Sequence, residues 1–388
     1  MSTPAPAPPE TMVLLAIGTK KGLWLAASDD RVHWTLSDPH FLVLEASSVA
    51  IDNRSDRPRV LAGLLDWHWG PTVVTSDDLG ATWSEPEHGA IKFPPETDTA
   101  LERVWHLRPD SADRPGVVWA GAEPHSLWRS DDGGETFALN EGLWNHPQRA
   151  QWQPGGGGPC LHTVAPDPTR EQIHIAASAA GVYRSDDGGA TWAPKNRGIV
   201  AGFLPDEQPE FGQCVHRIAR DAENPDRLYA QNHGGVFRSD DAGDSWTSIA
   251  DGLPGDFGFT FLTHPRRGGT GWVLPMGADI DRKPANARLS MYRTDDGGET
   301  WTEQHDGLPD RDYNTVLRDA AAVDDHPEST GVYFGTRAGE VYASGDEGGT
   351  FVRVAERLPD ILSVQAAVVP RAPLPQGSEP YVPQFPEE

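Results

Sequence analysis

One eight-residue motif recurs along the chain and constrains its fold more than any other feature. The pattern Ser/Thr-x-Asp-x-Gly-x-Thr/Ser-Trp/Phe has six full copies: Ser76–Trp83, Ser130–Phe137, Ser185–Trp192, Ser239–Trp246, Thr294–Trp301 and Ser344–Phe351. A shorter copy without the glycine lies at Ser28–Trp34, and the first residues of the seven copies are 48, 54, 55, 54, 55 and 50 positions apart. This regular spacing predicts a chain built from repeated units.

Each copy of the motif is typical of a tight turn between two short strands. Apolar residues alternate before it, as in Gly181–Arg184, and an aromatic residue such as Trp192 follows it, which is a hairpin pattern. The aspartate at the third position can accept hydrogen bonds from backbone N–H groups. The glycine at the fifth position permits a positive φ, and the final aromatic side chain can pack between neighbouring sheets.

The sequence of each unit predicts four short strands, which we name A to D in chain order. In the third unit, A lies within Cys160–Asp167, B within Gln172–Ala177 and C within Gly181–Ser185, and D follows the motif. The fourth unit repeats this order from Cys214 onward. Four-stranded antiparallel sheets repeated around an axis form a β-propeller. A solenoid is the competing repeat fold, but it requires capping units, and we recognise none in the sequence.

The two ends of the chain predict that the propeller is closed. The chain begins with B-like and C-like strands, Val13–Thr19 and Gly22–Ala26, and ends with an A-like strand, Ile361–Val369. Pairing the last strand with the first removes two open sheet edges. We therefore predict an all-β, seven-bladed β-propeller of four-stranded antiparallel blades over residues 11–370. Residues 1–10 and 371–388 are predicted to be tails rich in proline.

The repeated motif resembles the Asp-box (BNR) repeats of sialidases and related propellers, and the likeness covers Gly18 to about Pro370. The chain is especially similar to bacterial single-propeller proteins described as sialidase-like or glycosyl-hydrolase-like. In these families the motif lies on the outer rim, away from the active site. The resemblance therefore implies the fold and leaves the chemistry open.

The sequence departs from three better-defined groups with this motif. Sialidases carry an Arg-Ile-Pro motif near the start, where this chain has only Lys20 and Lys21. Xyloglucan-degrading enzymes pair two propellers around a cleft, whereas one propeller is predicted here. Photosystem assembly factors depend on a basic patch, which an acidic sequence does not obviously provide. True sialidase activity is therefore the least favoured of the enzymatic alternatives.

The charge of the chain excludes some partners. The formal net charge is −26, which argues against binding to a nucleic-acid backbone, although the six full motifs hold 15 of the 58 acidic residues. No apolar run approaches the ~20 residues of a membrane span. We find no secretory signal before the first strand, and two cysteines cannot form a disulfide framework. We therefore expect a cytoplasmic protein.

Long connections and histidines are predicted to gather at one end of the propeller. The D–A and B–C connections share this upper face, and the longest segments are Glu85–Glu102, Asn140–Pro159, Gly198–Gln213, Gly252–Gly258, Met276–Leu289 and Leu65–Pro71. Histidines near them are His106, His125, His162, His216 and His233. They predict a site for a divalent transition metal such as Zn. Cys160-Leu-His162 and Cys214-Val-His216 repeat as Cys-x-His. The alternative is that these histidines are structural residues inherited by duplication.

Candidate catalytic and substrate-binding residues are predicted on the same upper face. Glu123, Arg318 and Asp319 are candidates for acid, base or transition-state chemistry. Candidates for substrate binding are Arg103, Trp67, Trp152 and Glu210. Of these, the two tryptophans carry indole rings that can stack on sugars. The alternative roles are salt bridges at the rim and anchoring of the loops.

These observations leave two main functions open. The first is a glycosyl-hydrolase-like or metal-dependent hydrolase or lyase, with its pocket at the upper mouth of the central channel and a small-molecule or glycan ligand. The second is a non-catalytic scaffold that binds a protein or glycan on the same face.

Overall fold

The computed structural model describes residues 10–68, 70–86 and 89–376. The predicted tails at 1–10 and 371–388 lie mostly outside these residues. The described part of the second tail begins against the propeller, where Leu374 belongs to a core cluster between blades seven and one. Within the described residues, no helix has the length and apolar character needed to cross a membrane.

Seven antiparallel sheets form the blades of the predicted β-propeller. In blades one to seven, the innermost A strands are Glu45–Asp52, Arg103–Pro109, Leu161–Pro166, Val215–Arg220, Phe261–Thr263, Ala321–Val323 and Ile361–Pro370. The B strands are Arg59–Asp66, Val118–Glu123, Ile173–Ala177, Leu228–Asn232, Gly271–Val273, Val332–Gly335 and Thr11–Thr19. The C strands are Gly70–Ser76, Ser126–Ser130, Gly181–Ser185, Gly235–Ser239, Met291–Thr294, Val341–Ser344 and Gly22–Ser28.

The outermost D strands are the shortest. In blades two to seven they are Ala138–Leu139, Ala193–Pro194, Thr247–Ser248, Thr302–Gln304, Val352–Ala355 and Thr35–Leu36. In blade one, a single bridge between Thr75 and Ser84 takes the place of the D strand. The connections contain one short α-helix, Glu141–Trp144, and three 3₁₀ turns, Pro95–Thr97, Arg149–Gln151 and Ala285–Ala287, among the described residues.

The predicted closure of the ring is confirmed. The last strand pairs antiparallel with the first, with Val13 opposite Val368 and Ile17 opposite Val364. The sheet of blade seven therefore contains both ends of the described chain in the order A, B, C, D. Apolar side chains fill the spaces between neighbouring blades, as where Trp119 of blade two packs in one cluster with Tyr183 of blade three.

The repeated motif forms the predicted turn between strands C and D. In the first copy, Gly80 N–H donates to Ser76 Oγ at 2.8 Å, and Thr82 N–H donates to Asp78 Oδ1 at 2.8 Å. The fifth-position glycines of all six copies have φ between 88° and 99°, a conformation that favours glycine. Of the closing aromatics, Trp246 and Trp301 donate their Nε1–H to backbone carbonyls of the preceding blade. The motif thus joins neighbouring blades on the lower, outer rim.

Candidate functional site

β-Bulges at the upper ends of the A strands decide which side chains face the mouth of the channel. In each of blades one to four, the pairing between strands A and B skips one residue of strand A. The skipped residues are Ser47, Trp105, His162 and His216. A bulge leaves the extra residue unpaired and re-aims its side chain. Trp105, His162 and His216 are therefore equivalent, whereas His106 takes the position that Arg217 takes in blade four.

Three potential metal ligands converge beside blade four. One donor atom each from Cys214, His216 and His233 lies within 4.8 Å of the others. Cys214 Sγ is 3.5 Å from His216 Nε2, and the two imidazole rings are 5.6 Å apart at their centroids. We call this group the Cys-His-His cluster. The sequence predicted both histidines as ligands but not Cys214, although the Cys-x-His repeat had drawn attention to it.

Hydrogen bonds from outside the cluster orient both imidazoles. His216 Nδ1 lies 2.6 Å from the carbonyl oxygen of Gly258, so its Nε2 faces the cluster. His233 Nε2 lies 2.9 Å from Asp279 Oδ2, which leaves Nδ1 as the nitrogen for a metal. Metal-binding histidines commonly engage a carbonyl or carboxylate through the other ring nitrogen. Burial lowers the pKa of His216 to about 3, so this ring is neutral at pH 7 and has a lone pair to donate.

The B–C connection explains why blade three does not repeat the cluster. The backbone N–H of His233 donates to the carbonyl of Cys214, and that of Ser178 donates to the carbonyl of Cys160. The position of the second histidine in blade four is thus held by serine in blade three. Burial raises the pKa of the Cys160 thiol to about 11, which disfavours the thiolate that a metal requires.

A strip of aromatic and charged side chains connects the cluster with blade two. Phe259 stacks on His216 with ring centroids 4.7 Å apart. The guanidinium of Arg318 lies 5.6 Å from the Phe259 centroid and 5.3 Å from that of Trp105. Trp105 Nε1–H donates to Glu123 Oε2 at 2.8 Å. Burial raises the pKa of Glu123, although the hydrogen bond from Trp105 opposes this effect.

Arg318 contributes a positive charge to this strip without an anionic partner. Its Nε is buried and has no hydrogen-bond partner, and no carboxylate oxygen in the described part of the chain lies within 4.0 Å of its guanidinium. The two flanking rings hold the guanidinium by cation–π contact. Its remaining N–H groups are therefore available to a ligand.

Asp319, the third candidate for catalysis, lies deeper in the channel. It accepts hydrogen bonds from Arg217 at 2.9 Å, from Ser363 Oγ at 2.6 Å and from Gln365 Nε2 at 3.3 Å, and His106 Nε2 is 3.8 Å away. Burial raises the pKa of Asp319 while Arg217 opposes that effect. Its contacts join four blades across the channel, which indicates a structural role for this carboxylate.

Three of the five predicted metal ligands do not join the Cys-His-His cluster. His106 Nδ1 accepts the N–H of Val164 at 3.2 Å, and His125 Nε2 lies 2.9 Å from the carbonyl of Ser178. His162 is almost fully buried. Burial lowers the pKa of each, to about 4 for His125. In the described residues no second group of three donors meets the same distance limit, so we assign these histidines to packing.

The predicted substrate-binding residues have separate environments. Trp152 is buried and donates to Tyr183 Oη at 2.9 Å, so it anchors its loop and cannot stack on a ligand. Arg103 is 3.2 Å from a carboxylate oxygen of Glu45. Glu210 accepts from Gln148 at 3.0 Å on the rim. Trp67 is 81% exposed and stacks on His68.

Comparison with known proteins finds distant relatives among enzymes that act on xyloglucan. No protein-family model matches the chain. A xyloglucanase of Acetivibrio thermocellus is 27% identical over 168 residues, which are 38% of this chain and 18% of that protein. A xyloglucanase of Hypocrea jecorina is 24% identical over 352 residues, which are 89% of this chain and 35% of that protein. The chain thus spans about a third or less of the length of these relatives.

Solved structures support the fold. An ancestral GH74 enzyme superposes with a TM-score of 0.53 at 16% identity, covering 82% of this chain and 38% of that one. A 6-phosphogluconolactonase, described as putative, from Bacteroides uniformis also gives 0.53, at 13% identity, covering 92% of this chain and all of that one. The chain is therefore a seven-bladed propeller, and its fold resembles a propeller of the ancestral GH74 enzyme.

Proposed function

We propose that the protein is a metal-dependent hydrolase that acts on a glycan at the upper mouth of its channel. The observation that carries the proposal is the continuity of the site. The Cys-His-His cluster touches Phe259, Phe259 touches Arg318, and Arg318 touches Trp105, which is hydrogen-bonded to Glu123. Ligand atoms, a free cation and a carboxyl group of raised pKa thus form one continuous series of contacts.

The cluster fits a divalent transition metal such as Zn. Thiolate and imidazole are preferred ligands of Zn, and catalytic sites of this metal commonly have three protein ligands and one open position. A metal bound there would supply a Lewis acid and lower the pKa of water. Asp279 and the carbonyl of Gly258 already orient the two imidazoles. Hydrogen bonds with Cys214 and Asp279 raise the pKa of His233, so metal binding must displace protons from His233 as well as from Cys214.

The other side chains of the strip have roles that follow from their chemistry. The indole of Trp105 lies 5.2 Å from the guanidinium of Arg103 and 5.3 Å from that of Arg318, so it positions these cations beside the ligand. Arg318 can donate hydrogen bonds to oxygen atoms of the ligand. Glu123 can donate a proton to the departing oxygen, because burial raises its pKa and so increases the protonated fraction near neutral pH.

The choice of a glycan is supported by the weak sequence similarity to xyloglucanases. Because the chain spans a small part of those proteins, neither their substrate nor their activity is transferred to it directly. The free thiol of Cys214 is compatible with the cytoplasmic location expected from the sequence, since reducing compartments preserve thiols.

Metal binding by reduced, untagged protein tests the first part of the proposal. We expect close to one Co²⁺ per chain in equilibrium dialysis, with a thiolate-to-cobalt charge-transfer absorption. Cys214→Ser should remove this absorption. Cys160→Ser is the matched control, because Cys160 belongs to the same Cys-x-His repeat but lies outside the cluster, and it should leave the absorption unchanged. Equal loss in both variants, or no metal bound by the wild type, would contradict the proposal.

Hydrolysis of glycans tests the second part. Reducing-end release from neutral and acidic oligosaccharides should depend on reloading the metal-free protein with Zn²⁺, and Glu123→Gln should lower kcat by about 100-fold, as for loss of a general acid. Stoichiometric metal without hydrolysis of any glycan would leave the metal site in place and reject the enzymatic role.

A binding scaffold is the second candidate, and it is favoured by the upper face itself. Among the residues that the structure describes, six exposed large apolar side chains lie on D–A or B–C connections, namely Leu42, Val43, Trp67, Phe203, Ile280 and Tyr313. Exposed apolar residues that concentrate on one face are typical of interaction surfaces. If the scaffold reading is correct, replacing Trp67 and Ile280 by serine should weaken ligand or partner binding without changing metal content.

A further inference from the structure

The lower half of the channel contains a chamber that the proposed function does not use. Its volume is about 540 Å³, within the ~300–1,000 Å³ range of ligand pockets. It lies where the A strands end, on the opposite side of the Arg217–Asp319 contact from the upper mouth. Its wall includes His106, Arg108, Arg217 and Gln365.

Small side chains in four blades create the space. Side chains at alternate positions of a strand share one face. Each A strand has a residue near its upper end whose side chain faces the axis, and the residue two positions further along the strand therefore also faces the axis. These residues are Ala50, Ala165, Ala219 and Ala322 in blades one, three, four and six, and each lines the chamber. Blade two has Arg108 at this position, two residues after His106. A long cationic side chain therefore enters a chamber whose strand walls carry methyl groups at these positions. Carboxylates also belong to the lining, namely Asp52, Asp110, Asp221, Asp324 and Asp325.

The charge of Arg108 is not matched by a carboxylate. No acidic oxygen of the described residues lies within 4.0 Å of its guanidinium, although the chain has 58 acidic residues and 32 basic ones. The nearby acids are engaged elsewhere. Asp319 binds Arg217, and Asp110 accepts hydrogen bonds from Arg114 at 2.9 Å and from Trp119 at 2.8 Å.

Neighbouring charges act on Arg108 in both directions. Burial lowers its pKa and the positive charge of Arg217 lowers it further, whereas the carboxylates of Asp110 and Asp319 raise it. Arg108 is nevertheless exposed and lines the chamber. An anionic ligand in the chamber would supply the counter-charge that its guanidinium lacks within hydrogen-bond distance.

We propose that this chamber binds a small molecule through a phosphate or carboxylate group held by Arg108. The planar guanidinium presents parallel N–H donors that match these oxyanions. Arg217 remains paired with Asp319, so Arg108 is the cation that holds the anion. The alanine-lined wall accommodates the rest of the ligand.

Calorimetric titration with inorganic phosphate and, separately, with citrate tests the site and distinguishes the two anion types. The wild type should bind at least one of them, and Arg108→Gln should weaken that binding by at least tenfold. Arg57→Gln is the matched control, because Arg57 is exposed on a lower connection and its loss changes the net charge equally. Arg108→Lys, which keeps the charge but not the paired donors, should give intermediate affinity.

The same ligand should raise the thermal midpoint of the wild type and not that of Arg108→Gln, which also reports whether the variant is folded. The proposal is overturned if neither anion binds, or if Arg108→Gln binds as tightly as the wild type. It is equally overturned if Arg318→Gln removes the binding instead, since the anion would then occupy the upper mouth. Cobalt binding by Arg108→Gln should remain unchanged, so this test is independent of the proposed metal site.

Discussion

The guanidinium of Arg217 and the carboxylate of Asp319 meet across the central channel at 2.9 Å. Arg217 belongs to the A strand of blade four, and Asp319 lies two residues before the first residue of the A strand of blade six. Asp319 also accepts a hydrogen bond from Ser363 of blade seven. This ion pair lies between the upper site and the lower chamber, and it ties together blades that are distant in sequence.

Breaking this pair should destabilise the propeller strongly. Arg217→Ala leaves a carboxylate that is only 4% exposed without its cation, and such a loss costs about 3–5 kcal/mol. The double variant with Asp319→Ala should lose less than the sum of the two single variants, because neither partner is left unpaired. Urea unfolding measures these differences. Arg371→Ala, which breaks the exposed pair with Asp29, is the control and should have little effect.

Neutral, buried histidines should make the protein sensitive to acid. Burial lowers the pKa of His125 from 6.5 to about 4 and that of His174 to about 3. Between these values and 6.5 the unfolded chain binds more protons than the folded chain, so stability falls as pH decreases. For His125 the loss is about 3 kcal/mol and should be nearly complete below pH 4.

The measurement is the free energy of unfolding in urea between pH 7 and pH 4. His125→Asn should flatten this dependence, even if it lowers stability at pH 7 by disturbing the contact with Ser178. The exposed His68→Gln variant is the matched control. An unchanged slope in His125→Asn would show that this histidine is protonated alike in the folded and unfolded chain.

Asp279 should tune metal affinity without being a ligand itself. Its carboxylate lies 2.9 Å from His233 Nε2, so it fixes the ring and increases the basicity of the other nitrogen. Loss of such a partner typically weakens metal binding by about 10–100-fold. Asp279→Asn should therefore lower Co²⁺ affinity in dialysis while keeping the thiolate absorption from Cys214. Asp281→Asn, on the same connection, is the control, and a similar effect in both variants would point to general charge instead.

The sequence was sufficient for the fold because the information was local and repeated. The position-five glycine and the position-three aspartate specify one turn, and a copy such as Ser185–Trp192 predicts strands on both sides of it. The end strands Val13–Thr19 and Ile361–Val369 then predicted the closure. These inferences needed only spacing and alternation of residues.

The site was less predictable because it depends on positions that spacing does not reveal. A bulge places Trp105 at the position of His162 and His216, so His106 stands one residue beyond the equivalent position. Asp279 and Phe259 come from blade five and carry no motif. Their importance follows only from the contact with His233 and the stacking on His216.

The acid strength of Glu123 should depend on the indole N–H of Trp105. That N–H donates to Glu123 Oε2 at 2.8 Å and lowers the pKa of the carboxyl group, against the larger effect of burial. Trp105→Phe keeps an aromatic ring beside Arg318 but removes the donor, so the pKa of Glu123 should rise further. The fraction of protonated Glu123 at neutral pH would then increase.

Carbon-13 NMR of labelled glutamate gives the pKa of Glu123 directly, with Glu123→Gln identifying its resonance. In the proposed hydrolase, the alkaline limb of the kcat profile reports the general acid, and Trp105→Phe should shift that limb to higher pH. Trp152→Phe is the control, because the Trp152 N–H donates to Tyr183 and not to Glu123. A shifted NMR titration with an unmoved kcat profile would assign the proton donor to another residue.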